Sequence, residues 1–349
     1  MQMPYRGCTE DVRRAARGER PRRMPVFLCS EEFDVRLAGE TYERAATDSR
    51  VLAGVLSETI RRFDYDWAWV QVDDCIVYET LGVGVKGGGN ILFATCEYLP
   101  ASADTLKGLT IPRFEKAGRC PVLLDACKRL KDEFGDEILV VGRTEAPFSS
   151  VTLTYGIEAT MMLMFDNPQL LKDTLEFFVE LQTEFGIAQK EAGADALWYG
   201  DCNASSHLMG LGHYREFAAP ALERVAKEYR KNDILTILHA SEENADYVDV
   251  MAGLGVDFVS IGPGGDLAEC YRRARGRCAL TGNVDPIGVL MNGTPEDVRS
   301  QTRSILKTVS VRGGHLINSG EMVPRDCPEE NIRAYVETVH ETWKEITQT

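Results

Sequence analysis

Short apolar runs recur along the chain, and between them apolar residues follow helical spacing. Each run is almost continuously apolar, which is typical of strands in a parallel sheet that is buried on both faces. The eight runs are PVFLCS from Pro25, WAWVQV from Trp67, ILVVG from Ile138, ALWYG from Ala196, ILTILH from Ile234, FVSIG from Phe258, CALTG from Cys278 and HLINS from His315. Eight strands that alternate with helices predict an α/β fold, a closed (β/α)8 TIM barrel.

One segment does not fit a single β/α unit. The sequence GVKGGGNILFATCEYLP follows the second run and contains three successive glycines, Gly87, Gly88 and Gly89. Glycine adopts the backbone angles of tight turns readily, so this segment predicts a β-hairpin inserted after strand 2, over the barrel mouth. A phosphate-binding loop is not indicated, because neither a Lys-Ser/Thr ending nor a clear helix start follows.

Composition places the chain among ordinary globular proteins. It has 349 residues, of which 44% are hydrophobic and 27% charged, and this length suits one barrel domain spanning residues 1–349. The 39 basic and 54 acidic residues give a net charge of −15, which argues against nucleic acid or an anionic membrane as a partner. The acidic excess favours solubility, and the alternative is docking of a basic partner protein.

Targeting signals and cysteine spacing favour a cytoplasmic protein. No apolar run reaches the length of a membrane span, and the N-terminal sequence MQMPYRGCTEDVRRAARGERPRRMP lacks the apolar stretch of a signal peptide. The ten cysteines include no CxxC pair, so a four-cysteine zinc framework is not indicated. We therefore expect reduced thiols in a cytosolic compartment.

Polar side chains follow nearly every apolar run. In (β/α)8 barrels the functional residues gather at the carboxyl ends of the strands, so these side chains are candidates. They include Glu31, Asp74, Glu145, Asp201, Asn203, His239, Asn283, Asp285 and Glu321. His239 is the most informative of them, because a neutral imidazole can bind a metal, act as a base or shuttle a proton. Carboxylates at neighbouring strand ends make a mixed nitrogen and oxygen metal site chemically reasonable.

Two adjacent carboxylates, Asp73 and Asp74, follow the second run. Neighbouring residues of a strand point to opposite faces, so we expect only one of the two to face the barrel mouth. Their spacing alone does not define an acid–base pair.

Several segments together resemble one known superfamily. They are EDVRRAARGERPRRMPVF, FDYDWAWVQVDDCIVYETLGVGV, EAGADALWYGD, LHASEENADYVDVMAGLGVDFVSI, LTGNVDPIGVLMNGTPEDV and INSGEMVPRDCPEENIRAYVETV. They are similar to uroporphyrinogen decarboxylases and to corrinoid-dependent methyltransferases of the methylcobamide:coenzyme M type. The resemblance covers nearly the whole chain, is most specific from Leu238 to Pro286, and implies the barrel with an N-terminal helical extension.

The decarboxylase branch of this superfamily carries an arginine-rich stretch after strand 1, which pairs with substrate carboxylates. Here that stretch reads CSEEFDVRLAG, and Glu31 and Glu32 replace the cationic groups, so a polycarboxylate porphyrin would meet repulsion. The histidine that decarboxylases carry near the C-terminus corresponds to Glu321 here. Asp74 and, with a small insertion, Tyr155 still match residues of that branch.

The methyltransferase branch has an HxC element after strand 5 and a cysteine after strand 8, which together bind zinc. Here the first element reads His239-Ala240-Ser241 and the second position is Glu321. Two interpretations remain open. His239, Glu321 and another carboxylate hold a metal, most simply zinc, in a harder site, or the protein has lost the metal and uses hydrogen bonds and carboxylates alone.

The resemblance therefore implies methyl transfer between a small methylated compound, such as an O-methyl ether, and a corrinoid (cobalamin) carried by a partner protein. The alternatives are a decarboxylase or related lyase, and a non-catalytic barrel that binds a ligand. We also consider a homodimer. The candidate set is Asp74, Tyr155 and Asp201 as catalytic residues, Glu31, Glu145, Asn203, Asn283 and Asp285 as substrate-binding residues, and His239 and Glu321 as metal ligands.

Overall fold

The computed structural model describes residues 5–274 and 276–348, and a curled parallel sheet of seven strands lies at its centre. Seven of the eight predicted runs form these strands, and each strand pairs with the next one along the chain, as in a (β/α)8 barrel. Two further strands, β2 and β3, form the predicted hairpin. The strands are β1 Trp67–Trp69, β2 Gly84–Gly88, β3 Ile91–Glu97, β4 Leu139–Glu145, β5 Ala196–Gly200, β6 Leu235–Glu242, β7 Phe258–Ile261, β8 Ala279–Thr281 and β9 His315–Leu316.

Helices fill the connections between the strands, and the predicted N-terminal extension is helix α1. Short 3-10 or π-helical turns also occur at residues 78–81, 202–204, 214–218, 286–291 and 310–312. The α-helices are α1 Cys8–Ala16, α2 Glu31–Leu37, α3 Tyr42–Thr47, α4 Ser49–Phe63, α5 Ala103–Gly108, α6 Cys120–Phe134, α7 Pro147–Tyr155, α8 Ile157–Asp166, α9 Pro168–Glu191, α10 Leu211–His213, α11 Ala219–Lys231, α12 Ala245–Met251, α13 Leu267–Ala274, α14 Pro295–Thr308 and α15 Glu329–Gln348.

The first apolar run, residues 25–30, is buried but forms no assigned strand. Near its start, Val26 N–H donates to the Asp66 carboxylate (2.8 Å), and Asp66 N–H donates to the Val26 carbonyl (3.0 Å), just ahead of β1. Near its end, Val323 N–H donates to the Cys29 carbonyl (2.7 Å), just after β9. The run therefore lies between the two edge strands in the eighth position of the ring, and side-chain bonds replace part of the backbone ladder.

The predicted hairpin turns at Gly88 and Gly89, whose φ angles are 138° and 57°. Both angles lie in the region that favours glycine. Gly89 N–H donates to Glu43 Oε2 at 2.8 Å, which fastens the turn to α3. The insertion is thus anchored to α3, the second helix after the first run.

Aromatic side chains fill the interior of the barrel. The Trp67 ring stacks on Phe27 at 4.6 Å, and Trp67 and Trp69 meet the edge of Trp198 at 5.8 and 5.5 Å. Burying one such side chain contributes roughly 2–3 kcal/mol. Each of these three tryptophans is at most 4% exposed and belongs to the core.

All ten cysteines are free thiols, and eight of them are buried. The two exposed ones are Cys96 and Cys202. Within the described ranges, no helix combines the length and the apolar character that a membrane crossing requires.

Candidate functional site

Two predicted residues from distant strand exits meet at the carboxyl ends of the strands. His239 lies in β6, where it pairs in register with Gly200 of β5 and Ser260 of β7. Its Nε2 is 3.4 Å from Glu321 Oε1, and its Nδ1 is 3.1 Å from Ser260 Oγ. The imidazole ring packs 4.7 Å from the ring of Trp198. Both ring nitrogens thus have a polar neighbour, which fixes the orientation of the ring.

The surroundings of His239 and Glu321 shift the pKa of both side chains. Burial by itself would lower the pKa of His239, but the Cys202 sulfur and the Glu321 carboxylate outweigh it and raise that pKa to about 10. Burial would raise the pKa of Glu321, yet the imidazolium holds it below its ordinary value. Ser241 Oγ lies 3.5 Å from His239 Nε2 and 3.4 Å from Cys202 Sγ. The raised pKa of His239 and the lowered pKa of Glu321 favour an imidazolium–carboxylate pair at the centre of the site, with the Ser241 hydroxyl and the Cys202 sulfur beside it.

A zinc ion would need more protein ligands than these residues supply. Two ligands of one tetrahedral zinc, each about 2.1 Å from the metal, lie about 3.4 Å apart, and the separation of His239 and Glu321 matches that value. Catalytic zinc takes three protein ligands. Among residues 5–274 and 276–348, however, no three His, Cys, Asp or Glu side chains are arranged to hold a metal. The pair fits two positions of a zinc site and not the third, so no chemical step is derived through zinc.

A second cluster surrounds Arg143 in β4. Its Nη2 lies 2.6 Å from Asp74 Oδ1 and 2.6 Å from Glu145 Oε1, and its Nη1 donates to Gln71 Oε1 at 2.7 Å. Burial raises the pKa of Glu145 to about 7, against the lowering effect of Arg143. The predicted residues Asp74 and Glu145 are therefore brought together, and the guanidinium that joins them is already occupied by protein groups.

Asp73 follows β1 outside any assigned strand and lines the same small cavity as Asp74, but it binds a different arginine. It pairs with Nη1 of Arg119, whose Nη2 also contacts Glu79 Oε2 at 3.0 Å. The Arg119 guanidinium lies over the ring of Phe93, 4.3 Å from its centroid. Arg119, like Arg143, is thus held by two protein carboxylates.

Asp201 and Asn203, which follow β5, contact helix α7. Asp201 is fully buried, and its Oδ1 accepts from Ser149 Oγ at 2.9 Å, whereas its Oδ2 has no hydrogen-bond partner. Burial raises the pKa of this carboxyl well above its ordinary value. Asn203 Nδ2 donates to Thr152 Oγ1 at 2.7 Å. Burial therefore favours the neutral form of Asp201, and one of its oxygens has no partner among the described residues.

Asn283 and Asp285, which follow β8, bond to backbone. Asn283 Nδ2 donates to the carbonyls of Gly262 and Gly265 at 3.0 and 2.9 Å. The Asp285 carboxylate accepts from two N–H groups of the turn at 286–291, both at 2.9 Å. These bonds hold the loops of the mouth together, and substrate binding by either residue stays a prediction.

Glu31 and Tyr155 are buried at the ends of helices. Glu31 begins α2 and is 7% exposed, and its Oε2 has no partner. Tyr155 ends α7, and its hydroxyl has no partner among the described residues. No contact joins Tyr155 to Asp74 in the described part of the chain, so the acid–base role of Tyr155 stays a prediction.

Sequence reasoning gave no role to Arg143, Arg119, Cys202 or Ser260. The signal for Arg143 was present, because it stands two residues before Glu145 on one strand, and such residues share a face. Arg119 and Ser260 carried no local signal, since their contacts arise from chain segments that only the fold brings together.

The fold and these strand-end clusters define a (β/α)8-type barrel protein with a polar mouth. The family model for uroporphyrinogen decarboxylase (URO-D) matches residues 9–342, so the chain belongs to that family.

Among its relatives is the methylcobamide:CoM methyltransferase MtbA of Methanosarcina acetivorans, 24% identical over 336 residues that cover 94% of this chain and 96% of that protein. The uroporphyrinogen decarboxylase of Chlorobaculum parvum is 28% identical over 289 residues, 79% of this chain and 80% of that protein. A solved methyltransferase structure from Methanosarcina mazei superposes with a TM-score of 0.88 at 21% identity, and the match covers 97% of this chain and 99% of that one. That structural likeness supports the barrel fold.

Proposed function

We propose that this protein is a corrinoid-dependent methyltransferase that moves a methyl group between a small methylated compound and a corrinoid carried by a partner protein. Similarity over nearly the whole length to methylcobamide:CoM methyltransferases supports this function. The bound corrinoid would supply the cobalt that exchanges the methyl group.

The observation that carries the proposal is the meeting of His239 and Glu321, 3.4 Å apart. The resemblance to methyltransferases implies that the element at residues 239–241, in β6, and the position of Glu321, after β9, lie at one reaction centre. In this chain the two positions do lie together at the carboxyl ends of the strands. The side chains have changed from thiols to a carboxylate and a hydroxyl, but the placement is the one that the resemblance to methyltransferases implies.

Arg143 and Arg119 are already bound by protein groups, and this argues against the decarboxylase alternative. Binding of a polycarboxylate porphyrin requires guanidinium groups with free donors. Arg143 already contacts Asp74, Glu145 and Gln71, and Arg119 already contacts Asp73 and Glu79. A substrate carboxylate would have to displace these protein carboxylates.

The residues of the site can assist the departure of a leaving group. When a methyl group leaves an ether oxygen, the bonding electrons remain on that oxygen and need a proton or a positive charge. The His239 imidazolium, held by Glu321, can supply either one. Asp201 is a further carboxyl at the end of β5, and burial favours its neutral form. This chemistry favours an O-methyl ether as the methyl source, so the activity would be that of an O-demethylase.

Zinc bound by His239 and Glu321 is the competing description of the same centre. It would require a further ligand from the substrate or from a rearranged side chain. Elemental analysis of protein purified without chelators decides between the two descriptions. Close to one zinc per chain, lost in His239→Ala, would establish the metal site, and zinc far below one per chain would establish the direct pair.

The activity is tested with the full chain and free cobalamins. Methylcobalamin with a thiol acceptor, and cob(I)alamin with an aryl methyl ether, report methyl transfer in the two directions through the visible spectrum. We expect transfer that Glu321→Gln reduces at least tenfold, and no decarboxylation of uroporphyrinogen. Decarboxylation at ordinary enzymatic rates without methyl transfer would establish the lyase, and binding of cobalamin without either reaction would establish a non-catalytic barrel.

A cytoplasmic location and a homodimer belong to the same proposal. Light scattering on the purified chain tests the second point, since the mass of one chain is 38.8 kDa. A mass of twice that value would support the homodimer, and the monomer mass would refute it.

A further inference from the structure

Exposed apolar side chains gather on one face of the barrel. Eight large apolar side chains of the described residues are exposed, with exposed fractions from 37% to 71%. Each of them lies between the carboxyl end of a strand and the helix that leads to the next strand of the ring. Single exposed apolar residues are common on protein surfaces, but a collection on one side marks a binding surface.

Helix α8 forms the centre of this surface. It buries Leu163 and Met164 on one side, whereas Ile157, Met162 and Phe165 are exposed. With 3.6 residues per turn, the buried and the exposed residues lie on opposite sides of the helix. The water-facing side of a helix is ordinarily polar, so an apolar exposed side is suited to contact with another molecule.

Two neighbouring segments continue the apolar side of α8. At its start, the ring of Tyr98 lies against Gly156, where a side chain would approach that ring to 3.3 Å. Near its end, the Phe165 ring meets the edge of the His213 ring at 5.3 Å, and the segment that carries His213 also carries Leu208. The apolar crescent consists of Tyr98, Ile157, Met162, Phe165 and Leu208.

The charges around the apolar crescent are acidic. Residues 144–171 and 191–214, which include α8 and Leu208, contain no Lys or Arg. Glu97, Glu158 and Asp166 are exposed beside the crescent, and within residues 5–274 and 276–348 none of the three forms an ion pair. Two copies of the chain that paired through this face would bring carboxylates against carboxylates. An anionic membrane would be repelled in the same way.

We propose that the apolar crescent is the docking surface for the protein that carries the corrinoid, and that this protein presents an apolar face edged with Lys and Arg. Leu208 is joined to the end of β5 by residues 201–207, and in that stretch Cys202 Sγ lies 3.4 Å from Ser241 Oγ of the candidate site. A carrier docked on the crescent therefore reaches the mouth from the side of β4 and β5. The identity of the carrier rests on the proposed function, and the proposed homodimer would pair through another face.

The experiment measures binding of the full chain to the corrinoid-binding proteins of the same organism. Each of these is purified with methylcobalamin bound, and association is followed by biolayer interferometry without a methyl acceptor. We expect one of them to bind, with an association rate that falls as sodium chloride rises from about 0.05 to 0.5 M, because opposite charges steer the encounter. Binding by none of them, or association that does not depend on salt, would overturn the docking surface.

Methyl transfer from free methylcobalamin to a thiol is measured on the same preparation, because this reaction needs no carrier. Its absence would overturn the proposed function. Transfer from free methylcobalamin without binding of any carrier would overturn the docking surface alone.

Variants localise the contact. Phe165→Ser removes an apolar side chain that is 64% exposed, and we expect the Kd to rise about tenfold. Glu158→Lys reverses a charge beside it and should slow association about fivefold. Glu341→Lys makes the same charge change on α15, beside Arg22 and Met24 at the amino end of the first run, and this matched control should bind like the wild type.

All three variants should transfer methyl groups from free methylcobalamin at the wild-type rate, because the replaced residues lie outside the candidate site. Unchanged carrier binding in both Phe165→Ser and Glu158→Lys would overturn the assignment. Light scattering tests the other occupant. A dimer that dissociates in Phe165→Ser would show that a second copy covers the crescent, and it would overturn the proposal as well.

Discussion

Replacing Glu321 with Gln tests whether the site is built on an ion pair. The carboxylate lies 3.4 Å from His239 Nε2, and with Cys202 it raises the pKa of that imidazole from 6.5 to about 10. The whole rise corresponds to roughly 5 kcal/mol of preference for the protonated ring in the folded state. Glu321 supplies part of it, and its side chain is 33% exposed, so water screens the pair. We expect Glu321→Gln to lower the free energy of unfolding by about 1–2 kcal/mol.

The dependence of stability on pH follows from the directions of the pKa shifts of His239 and Glu321. A raised pKa of His239 contributes stability that is full below pH 6.5 and is lost as the pH rises through about 10. The lowered pKa of Glu321 contributes stability that is present above its ordinary value of 4.5 and is lost in more acidic solution. The difference between wild type and Glu321→Gln is therefore largest from about pH 5 to 6.5, shrinks as the pH rises further, and vanishes above about pH 10.

Two measurements check this prediction. Urea denaturation at several pH values gives the stability difference, and proton NMR of the histidine rings gives the titration of His239. Burial lowers the pKa of His315 to about 4, so this residue is an internal control that stays neutral across the range. An unchanged titration of His239 in Glu321→Gln, or equal stability of both proteins at pH 7, would refute the ion pair.

Three further substitutions are measured by urea denaturation at pH 7. Arg143→Met leaves Asp74 and Glu145 without their shared cation and should cost about 3 kcal/mol, so a loss below about 1 kcal/mol would contradict the cluster. Asp201→Asn should change stability by less than about 1 kcal/mol, because burial favours the neutral carboxyl, and a loss near 3 kcal/mol would show a buried charge instead. Thr294→Ala removes the capping box of α14 and should cost about 1 kcal/mol, whereas no change would show that the cap is not needed.

The fold was predictable because it rests on local pattern. Apolar runs and helix signals lie within short stretches of sequence, so seven strands and the start of α9, with Asn167 as its cap, follow from them directly. The exception is the first run, whose backbone bonds partly to side chains. Val26 N–H meets the Asp66 carboxylate and Cys29 N–H meets Ser319 Oγ at 3.1 Å. The apolar pattern predicts that this run is buried. It cannot show which groups form hydrogen bonds with the backbone N–H and C=O groups of the run.

The site was predictable only in part, because its chemistry depends on contacts between distant segments. The strand-end rule brought His239 and Glu321 to one place, and the structure confirms that they meet. It could not show that Arg119, from a helix cap, would bind Asp73 while Arg143 binds Asp74. Nor could it show that Cys202 lies beside Ser241, since the two residues leave different strands.

Ion pairs between arginines and carboxylates of the protein itself explain how one barrel fold can serve either decarboxylation or methyl transfer. A decarboxylase of this family needs cationic groups that remain free for substrate carboxylates, whereas methyl transfer needs a centre that stabilises a departing group. In this chain the guanidinium groups of Arg143 and Arg119 are held by carboxylates of the protein itself. At the proposed reaction centre, the raised pKa of His239 favours an imidazolium, and the Glu321 carboxylate lies 3.4 Å from its Nε2. The residues that separate the two activities are therefore the partners of the arginines as much as the residues at the centre.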